Sequence, residues 1–552
     1  MTAEPWYRTN GRIMRPLAAG VLAAVIIALT ALTGIQRGMD HMVSWAPNSE
    51  QRAMSIAISE SYYGVHLGYI GLKSVEDKLI EVWNRGVTNP GDPALIQHGN
   101  DGALINEALQ AAASLGPQHI GYLSNRDLTT TWYDDMGEVD FYRLAFRLFG
   151  LQIQSYYYLF FAILAISALV FIVTFHDNVY ALITLLCTLF AFYTTLHLGL
   201  FNTDAPTFPG MRHSSSLALI PMWYFIFLLG RRPSLGRVAG AVIEALIMVF
   251  AWRVRGSVSW MFMFVLAAAF VTALGYWLRQ ARGERSWWGL ARATAQWPVL
   301  VVALGIAADA VYVQAELHAI YFTDDVLPYH GAWQAAYTGL AYVPEIYPRR
   351  VQEAIDKYIG GDAVGSDAVG MFGEMDYLDR THFIQWDGTN ISPPARVSVW
   401  TGQMKPRFHD HIIERATLEA VEHHPIYALE IYFYMKPLAI FTTLESAVIS
   451  IPDSNWLWCI LAGGVGGALL FLIFDVKFEV RKWAEPLAMT GAAAVVGLIP
   501  MLWAYAAHYT IFDVSLVMVA FAQLALAFAL LAPLRSVLNW GSLRPSRTYS
   551  PS

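Results

Sequence analysis

Ten long apolar segments constrain the fold of this chain more than any other feature of its sequence. A helix needs about 20 mainly apolar residues to cross the roughly 30 Å hydrocarbon core of a bilayer. The segments cover residues 17–34, 156–175, 179–198, 214–230, 238–252, 257–278, 297–314, 456–474, 486–506 and 514–532. Because 56% of the residues are hydrophobic and only 14% are charged, a water-soluble Rossmann, TIM-barrel or sandwich enzyme is excluded. The sequence predicts an all-α polytopic membrane protein with about ten transmembrane helices.

Lysine and arginine collect in alternate connections between these segments, and cytoplasmic loops are the ones that retain such residues. The clusters are Arg8, Arg12 and Arg15; Arg231, Arg232 and Arg237; Arg279, Arg282, Arg285 and Arg292; Lys477, Arg481 and Lys482; and Arg535, Arg544 and Arg547. All of them lie on one side when ten spans are threaded in order. We therefore expect a multi-pass protein of the plasma (inner) membrane with both termini in the cytoplasm.

The first apolar segment has two interpretations. Basic residues precede it and small residues follow Ile27, as in a signal peptide. We expect an uncleaved anchor, because the segment is long enough to span and no clean small-x-small site closes it. Cleavage stays open as the alternative, since its removal would leave the placement of the positive charges unchanged.

Two large polar segments, 35–155 and 315–437, fall on the outer face in this threading. Loops of this size are uncommon unless they fold or carry function. Helical patterns occur at 74–85, 106–114, 351–358 and 409–422, and a Gly/Asp-rich connection is predicted at 360–373. We expect the two segments to pack together as one extracytoplasmic, mainly helical cap. The resulting divisions are 1–34, 35–155, 156–314, 315–437, 438–532 (an interfacial or re-entrant piece and three spans) and 533–552.

The densest acidic group lies just before the second apolar segment and contains Asp134, Asp135, Glu138 and Asp140. Adjacent carboxylates repel, so one pKa rises toward that of a general base, or a cation holds the pair ionised. Arg143 and Arg147 follow Asp140 at helical spacing and are candidate counter-charges, as is a divalent ion such as Mg²⁺ or Mn²⁺. The alternative is structural, because acidic residues favour a helix N-terminus and Asp134 or Asp135 would cap a helix running to Phe149.

Cationic and aromatic residues in the outer loops and at their junctions with the apolar segments are candidates for binding a lipid headgroup or a carbohydrate. Snorkelling and an interfacial aromatic belt are the alternative roles of such residues. Together with the acidic group, the candidate substrate-binding residues are Glu138, Asp140, Arg143, Arg212, His213, His330, Trp333, Arg349, Arg350 and Lys436.

Other features point away from specific chemistry. The spacing of His409, His411, His423 and His424 is poor for a metal site, which favours solvated histidines. There is no phosphate loop, dinucleotide fingerprint or nucleophile elbow, and Cys187 and Cys459 both lie in apolar segments. A net charge of −7 excludes a nucleic-acid-binding surface.

Two features lie inside apolar segments. The run from Gly463 to Gly467 contains a small-xxx-small pair, which predicts close helix packing. Glu244 is costly in a span. Pairing with Arg253 or Arg255 is one interpretation, and a packing defect or a misplaced segment boundary is the other.

The many spans, the acidic first outer loop and the large second outer segment resemble the GT-C superfamily of polytopic glycosyltransferases. This resemblance implies a polyprenyl-phosphate-linked sugar as donor and a glycan, lipid or protein as acceptor. It also implies that an acid of the first outer loop acts as base or metal ligand, here Asp134 or Asp135. In the family this acid closely follows the first span, the place that Asp40 occupies in Arg37-Gly38-Met39-Asp40-His41, so Asp40 is the alternative base.

The resemblance assigns the lipid phosphate to basic residues of later outer loops, here Arg212, His213, Arg349 and Arg350. Two other functions stay open on the sequence. A non-catalytic envelope assembly protein would use the cap as a docking surface. A transporter would need charged residues around the membrane midplane and broken helices.

Overall fold

The computed structural model describes most of the chain, and all statements below concern the described residues. These are residues 6–40, 48–63, 68–86, 101–115, 128–130, 136–198, 211–279, 286–317, 332–359, 363–364, 366–381, 386, 406–449, 455–473, 480–504 and 508–542.

The described residues are nearly all helical. The helices are α1 Trp6–Asp40, α2 Asn48–Tyr63, α3 Lys73–Gly86, α4 Asp101–Ala113, α5 Met136–Phe149, α6 Gln154–Phe175, α7 Val179–Leu198, α8 Leu219–Leu228, α9 Leu235–Val254, α10 Ser259–Arg279, α11 Trp287–Thr294, α12 Trp297–Glu316, α13 Ala332–Thr338, α14 Arg349–Tyr358, α15 Asp367–Arg380, α16 Pro406–His423, α17 Pro425–Glu430, α18 Lys436–Ile449, α19 Asn455–Ile473, α20 Val480–Gly497, α21 Ile499–Trp503 and α22 His508–Ser542. Shorter elements are the 3₁₀ segments Met211–Ala218, Gly256–Val258 and Pro344–Ile346, the π segment Ile431–Met435, and strands β1 Ile70–Leu72 and β2 Leu128–Thr130.

Seven stretches of helix are long and apolar enough to cross a membrane. They are Arg15–Gln36, Gln154–Phe175, Leu235–Val254, Gly256–Leu278, Trp297–Glu316, Lys482–Trp503 and Asp513–Pro533. Three shorter apolar helices, Val179–Thr195, His213–Leu228 and Ile460–Leu469, overlap the other three predicted segments. The fold is that of an all-α multi-pass membrane protein, as the sequence predicts.

The first polar segment packs directly on the apolar helices. Its helices α2 and α5 share one continuous hydrophobic core with α6, α7 and α9. The two short strands pair antiparallel, with Ile70 opposite Thr130. A side chain at Gly71 of β1 would meet the backbone of Ile56 in α2 at 2.9 Å, so the glycine permits this close approach. The predicted helices of this segment are confirmed as α3 and α4.

The second polar segment has a hydrophobic core of its own, formed by helices α13 to α17. Within this core, the hydroxyl of Tyr347 donates a hydrogen bond to the carbonyl of Tyr337 at 2.6 Å. The helices predicted at 351–358 and 409–422 are confirmed as α14 and α16. The predicted connection at 360–373 is wrong in its second half, because α15 already begins at Asp367. Its buried face, which includes Phe372 and Met375, supplies the apolar contacts that stabilise a helix despite the glycines.

The glycine run of α19 packs against α22, which confirms the predicted role in helix packing. A side chain at Gly463 would collide with Gln523, and one at Gly464 would meet Leu526 at 2.6 Å. Gly466 faces open space instead. The two sides of the helix therefore differ in their need for glycine, because only one of them lies against α22.

This difference predicts opposite results for two alanine substitutions in the same helix. Gly464→Ala forces Leu526 to move, so we expect a loss of about 1–3 kcal/mol of stability, measured as a lower melting temperature in detergent. Gly466→Ala is the matched control, because its added methyl group meets no neighbour. Equal melting temperatures of the two variants would contradict the packing of α19 on α22.

Candidate functional site

The strongest concentration of charge lies where α5 meets the C-terminal part of α9. The guanidinium of Arg253 in α9 contacts Oδ2 of Asp140 in α5 at 2.5 Å. Arg143, one turn after Asp140, donates to its other carboxylate oxygen at 3.0 Å. The side chains of Asp140 and Arg253 are each only 10% exposed. Because a buried charge is costly without a partner, this pair fixes α5 on the end of α9.

Tyr69 completes the centre of this network. Its hydroxyl donates to Asp140 at 2.9 Å and in turn accepts a hydrogen bond from Arg253. The guanidiniums of Arg143 and Arg253 lie 5.4 and 5.8 Å from the centre of its ring. Tyr69 has a φ of +66°, directly after Gly68 at +56°, a conformation that side chains rarely adopt. The surrounding contacts therefore hold a strained backbone at this point.

Two further carboxylates extend the network to other helices. Arg143 forms an ion pair with Glu60 of α2, and Arg253 forms one with Asp309 of α12 at 3.3 Å. Three carboxylates thus contact two guanidiniums, a sum of −1. The network ties α2 and α5 of the first polar segment to α9 and α12 of the membrane-spanning part.

A glycine makes the contact between α5 and α9 possible. A Cβ at Gly137 would lie 2.2 Å from the backbone carbon of Arg253, closer than any real side chain allows. The first turn of α5 therefore rests on the last turn of α9. This close approach brings Asp140, one turn later, to the guanidinium of Arg253.

Burial controls the electrostatics of the residues outside the spans. It raises the pKa of Asp140, while the guanidiniums of Arg253 and Arg143 and the hydroxyl of Tyr69 oppose that rise. It also raises the pKa of Tyr69, and the negative charge of Asp140 adds to this. The phenol therefore stays protonated and remains a hydrogen-bond donor to Asp140.

The structure brings together some of the predicted acidic residues. Asp140 is at the centre of the network, and Glu138 is buried in the first turn of α5, near the positive end of the helix dipole. The predicted helix running to Phe149 is confirmed, as is the pairing of Arg143 with Asp140. Asp134 and Asp135 directly precede this helix and lie outside the described residues, as does the side chain of Asp40, the last residue of α1.

His213 lies in the 3₁₀ segment that leads into α8. It is 3% exposed, and the three serines that follow it are fully buried. Arg212 belongs to the same 3₁₀ segment, but its side chain lies outside the described residues. Predicted phosphate contacts of these two residues stay predictions.

The predicted residues of the second polar segment have different partners in the fold. Trp333 packs edge-on against Trp503 of α21, with ring centres 5.2 Å apart. Arg349 is exposed and pairs with Glu353 at 2.9 Å. Arg350 forms an ion pair with Asp379 and donates to the carbonyl of Trp386, so it binds α14 to the rest of the segment.

His330 lies outside the described residues.

Lys436 is fully buried at the start of α18. Its ammonium donates to the carbonyls of Leu502 and Trp503 at 3.0 and 3.1 Å and lies 4.1 Å from the ring centre of Tyr432. It therefore caps the C-terminal end of α21, where unpaired carbonyls and the helix dipole favour a cation. Burial lowers the pKa of Lys436 to about 7.

Glu244 does not pair with an arginine, so that interpretation is wrong. The α9 helix covers the whole predicted span and continues to Val254, and Arg253 instead contacts Asp140 and Asp309. Glu244 is fully buried and accepts a hydrogen bond from Ser167 of α6 at 2.6 Å. Arg253 lies nine positions, or two and a half turns, further along α9, beyond the reach of Glu244.

The described histidines and acids form no group of three or more that would hold a metal ion. His411 is exposed and contacts Glu414, and the ring of His423 contacts the carbonyl of Glu419. These two positions agree with the prediction of solvated histidines on α16.

The sequence alone did not single out Glu60, Tyr69 and Asp309. For Asp309 a signal was present, because it is an acidic residue within an apolar segment, where unpaired charge is expensive. Glu60 and Tyr69 carry no such signal. Their role depends on the packing of α2 and β1 against α5.

Comparison of the chain with protein-family models, curated proteins and solved structures finds no match. The resemblance to GT-C enzymes therefore stays a hypothesis based on architecture.

The network predicts unequal effects of two conservative changes in the first polar segment. Asp140→Asn removes the central negative charge and leaves buried guanidiniums under-compensated, so we expect a loss of about 3 kcal/mol in stability. Asp77→Asn alters an exposed pair with Lys73 and should cost less than about 1 kcal/mol. Thermal unfolding in detergent measures both, and equal losses would contradict the central role of Asp140.

Lys436 predicts a particular pH dependence of stability. Its pKa is about 7 in the folded protein and 10.5 when unperturbed, so the unfolded state binds more protons between these values. Stability should therefore rise by about 1 kcal/mol per pH unit across that window. Lys436→Met should flatten this rise, whereas Lys357→Met, at an exposed position of α14, should leave it unchanged. A melting-temperature series across pH values tests this, and an unaltered slope in Lys436→Met would refute it.

Proposed function

We propose that this protein is a membrane glycosyltransferase that transfers a sugar from a polyprenyl-phosphate donor to an acceptor at the outer face of the membrane. The observation that carries the proposal is the docking of α5 on the ends of α9 and α12 by the network around Asp140. Asp134 and Asp135 directly precede this anchored helix. The acid pair of the first polar segment is thereby tied to the rim of the membrane-spanning part, where a lipid-linked donor would present its sugar.

The proposal includes a topology. The three shorter apolar helices would complete ten spans across a bacterial plasma (inner) membrane, with both termini in the cytoplasm. In that threading the C-terminal ends of α9 and α12 face outward. Both polar segments would then lie over the same face and together form the cap.

The chemistry assigned to this site is a single displacement at the anomeric carbon of the donor. The carboxylate of Asp134, Asp135 or Asp40 takes the proton of an acceptor hydroxyl, whose oxygen forms the new bond to that carbon. The bond from carbon to phosphate oxygen breaks, and polyprenyl phosphate leaves with the bonding electrons. Cationic groups stabilise the departing phosphate, and Arg212, His213 and Arg349 are the candidates. A divalent cation would serve the same purpose.

The positions of the other candidate cations narrow this assignment. Arg143, Arg350 and Lys436 already contact carboxylates or helix carbonyls within the protein. A phosphate would have to displace these partners before it bound. We therefore assign these three residues to holding the elements of the site in place. Arg349 also pairs with Glu353, but its side chain is exposed, so a phosphate can reach it.

A second candidate function is transport, which specific buried residues favour. Glu244 and Asp513 are fully buried within the spans, and each accepts a hydrogen bond from a serine. Buried acids within spans are typical of transport pathways.

Transfer of radiolabelled sugar from a panel of synthetic polyprenyl-phosphate monosaccharides, by protein in lipid vesicles, tests the first function. Asn substitution of the catalytic acid among Asp134, Asp135 and Asp40 should reduce transfer about a hundredfold or more. Asp356→Asn, at an exposed position of α14, is the matched control and should retain transfer.

Transfer that survives Glu244→Gln supports the enzyme, because the proposed chemistry does not involve this buried residue. Two outcomes would overturn the assignment. Full activity in all three Asn variants would remove the proposed base. Absence of transfer with every donor, together with solute uptake that Glu244→Gln abolishes, would establish the transporter instead.

A further inference from the structure

A second buried polar site lies at the start of the last candidate span and shares no residue with the network around Asp140. Asp513, the first residue of the last candidate span, is fully buried. Its Oδ1 accepts a hydrogen bond from the hydroxyl of Ser215 at 3.0 Å. Its Oδ2 is equally buried and, in the described part of the chain, accepts no hydrogen bond of ordinary geometry. A buried carboxylate oxygen in apolar surroundings is costly unless a proton or a metal cation occupies it.

The indole of Trp260, at the start of α10, lies beside the carboxyl group of Asp513 and acts on it as a hydrogen-bond donor. Its Nε1 is buried and, among the described residues, forms no hydrogen bond of ordinary geometry, so this contact is a long one. Gly497, at the end of α20, packs closely beside the site, because a Cβ there would lie 2.6 Å from Val514 and 3.6 Å from Trp260.

Ser215 belongs to an unusual piece of backbone. The 3₁₀ segment Met211–Ala218 is eight residues long, whereas such helices rarely exceed four residues. It contains four consecutive polar side chains, from His213 to Ser216, that are at most 3% exposed. The hydroxyls of Ser214 and Tyr156 are 3.1 Å apart. Hydroxyl groups and irregular backbone beside a buried acid are the elements from which membrane proteins build cation sites.

The charges around the site leave the carboxyl group without a direct counter-ion. No described Lys, Arg or His lies within ion-pair distance of Asp513, although the charge of Arg255 at the end of α9 acts on it. On the 3₁₀ segment that holds Ser215, His213 is the titratable residue whose side chain is described, and the hydroxyl of Tyr156 in α6 contacts Ser214 of that segment. The helices α7 and α20, which pack on α22, carry Tyr180, Cys187, Tyr193, Lys482 and Glu485. Glu244 forms a separate carboxyl–serine pair with Ser167.

We propose that Asp513 and Ser215 form a binding site for one small monovalent cation, either a proton or a sodium ion. The carboxyl Oδ2 and the hydroxyl of Ser215 supply hard oxygen ligands, which such cations prefer. Neither atom belongs to the network around Asp140, so the site does not depend on the proposed sugar transfer.

The experiment measures the melting temperature of the full-length protein in nanodiscs, with sodium chloride replaced stepwise by choline chloride at constant ionic strength. If the ligand is sodium, the wild type should show a saturable rise of about 2 °C or more, because binding to the folded state stabilises it. Asp513→Asn should abolish this rise. Ser215→Ala should raise the half-saturating sodium concentration about tenfold, since it removes an oxygen ligand and the hydrogen bond that positions the carboxyl group.

A pH series in sodium-free buffer tests the proton. The melting temperature of the wild type should then fall as the proton leaves, while Asp513→Asn, which resembles the protonated state, should lack this transition. His213→Gln should retain it, which separates Asp513 from the neighbouring imidazole. In Ser215→Ala the midpoint should move by about one pH unit.

Ser167→Ala is the matched control, because it removes the serine of the other buried carboxyl–serine pair. It should keep the sodium or proton response of the wild type. If Asp513→Asn does not fold, Ser215→Ala provides the same two readouts. The proposal is overturned if the Asp513 and Ser215 variants respond to sodium and pH as the wild type does, or if the wild type responds to neither.

Discussion

The ion pair between Arg253 and Asp140 is the interaction on which the arrangement of the polar and apolar parts depends. Arg253 lies at the end of an apolar helix, where a buried guanidinium is stable only with partners of opposite charge. Its partners come from elements far apart in sequence, Asp140 of the first polar segment and Asp309 of α12. Because Gly137 lets α5 touch the backbone of Arg253, the charge pairing and the helix contact support each other.

Buried acids in this protein fall into two groups with different partners. Asp140 and Asp309 contact arginines. Glu244 and Asp513 lie among apolar helices and contact serine hydroxyls. The acids of the first group join separate elements of the fold. The acids of the second group have no ion pair with a cationic side chain in the described part of the chain.

The second polar segment illustrates how the tertiary structure reassigns residues with ambiguous sequence signals. Arg350 and Lys436 have the character expected of phosphate ligands, but one joins α14 to Asp379 and the other caps α21. A long cationic side chain satisfies any nearby acceptor, and helix carbonyls are as suitable as a phosphate. Sequence position alone therefore cannot distinguish these partners.

The sequence by itself determined the membrane class, the apolar helices, the helix of Asp140 with its pairing to Arg143, and the packing role of the glycines in α19. Each of these follows from local periodicity or from spacing within one helix, which the chain carries without its tertiary fold. Only the tertiary structure decided that Arg253 contacts Asp140 rather than Glu244, that Tyr69 bridges them, and that Ser215 meets Asp513. These contacts join residues up to 298 positions apart, and their geometry depends on how helices cross and how closely glycines let them approach.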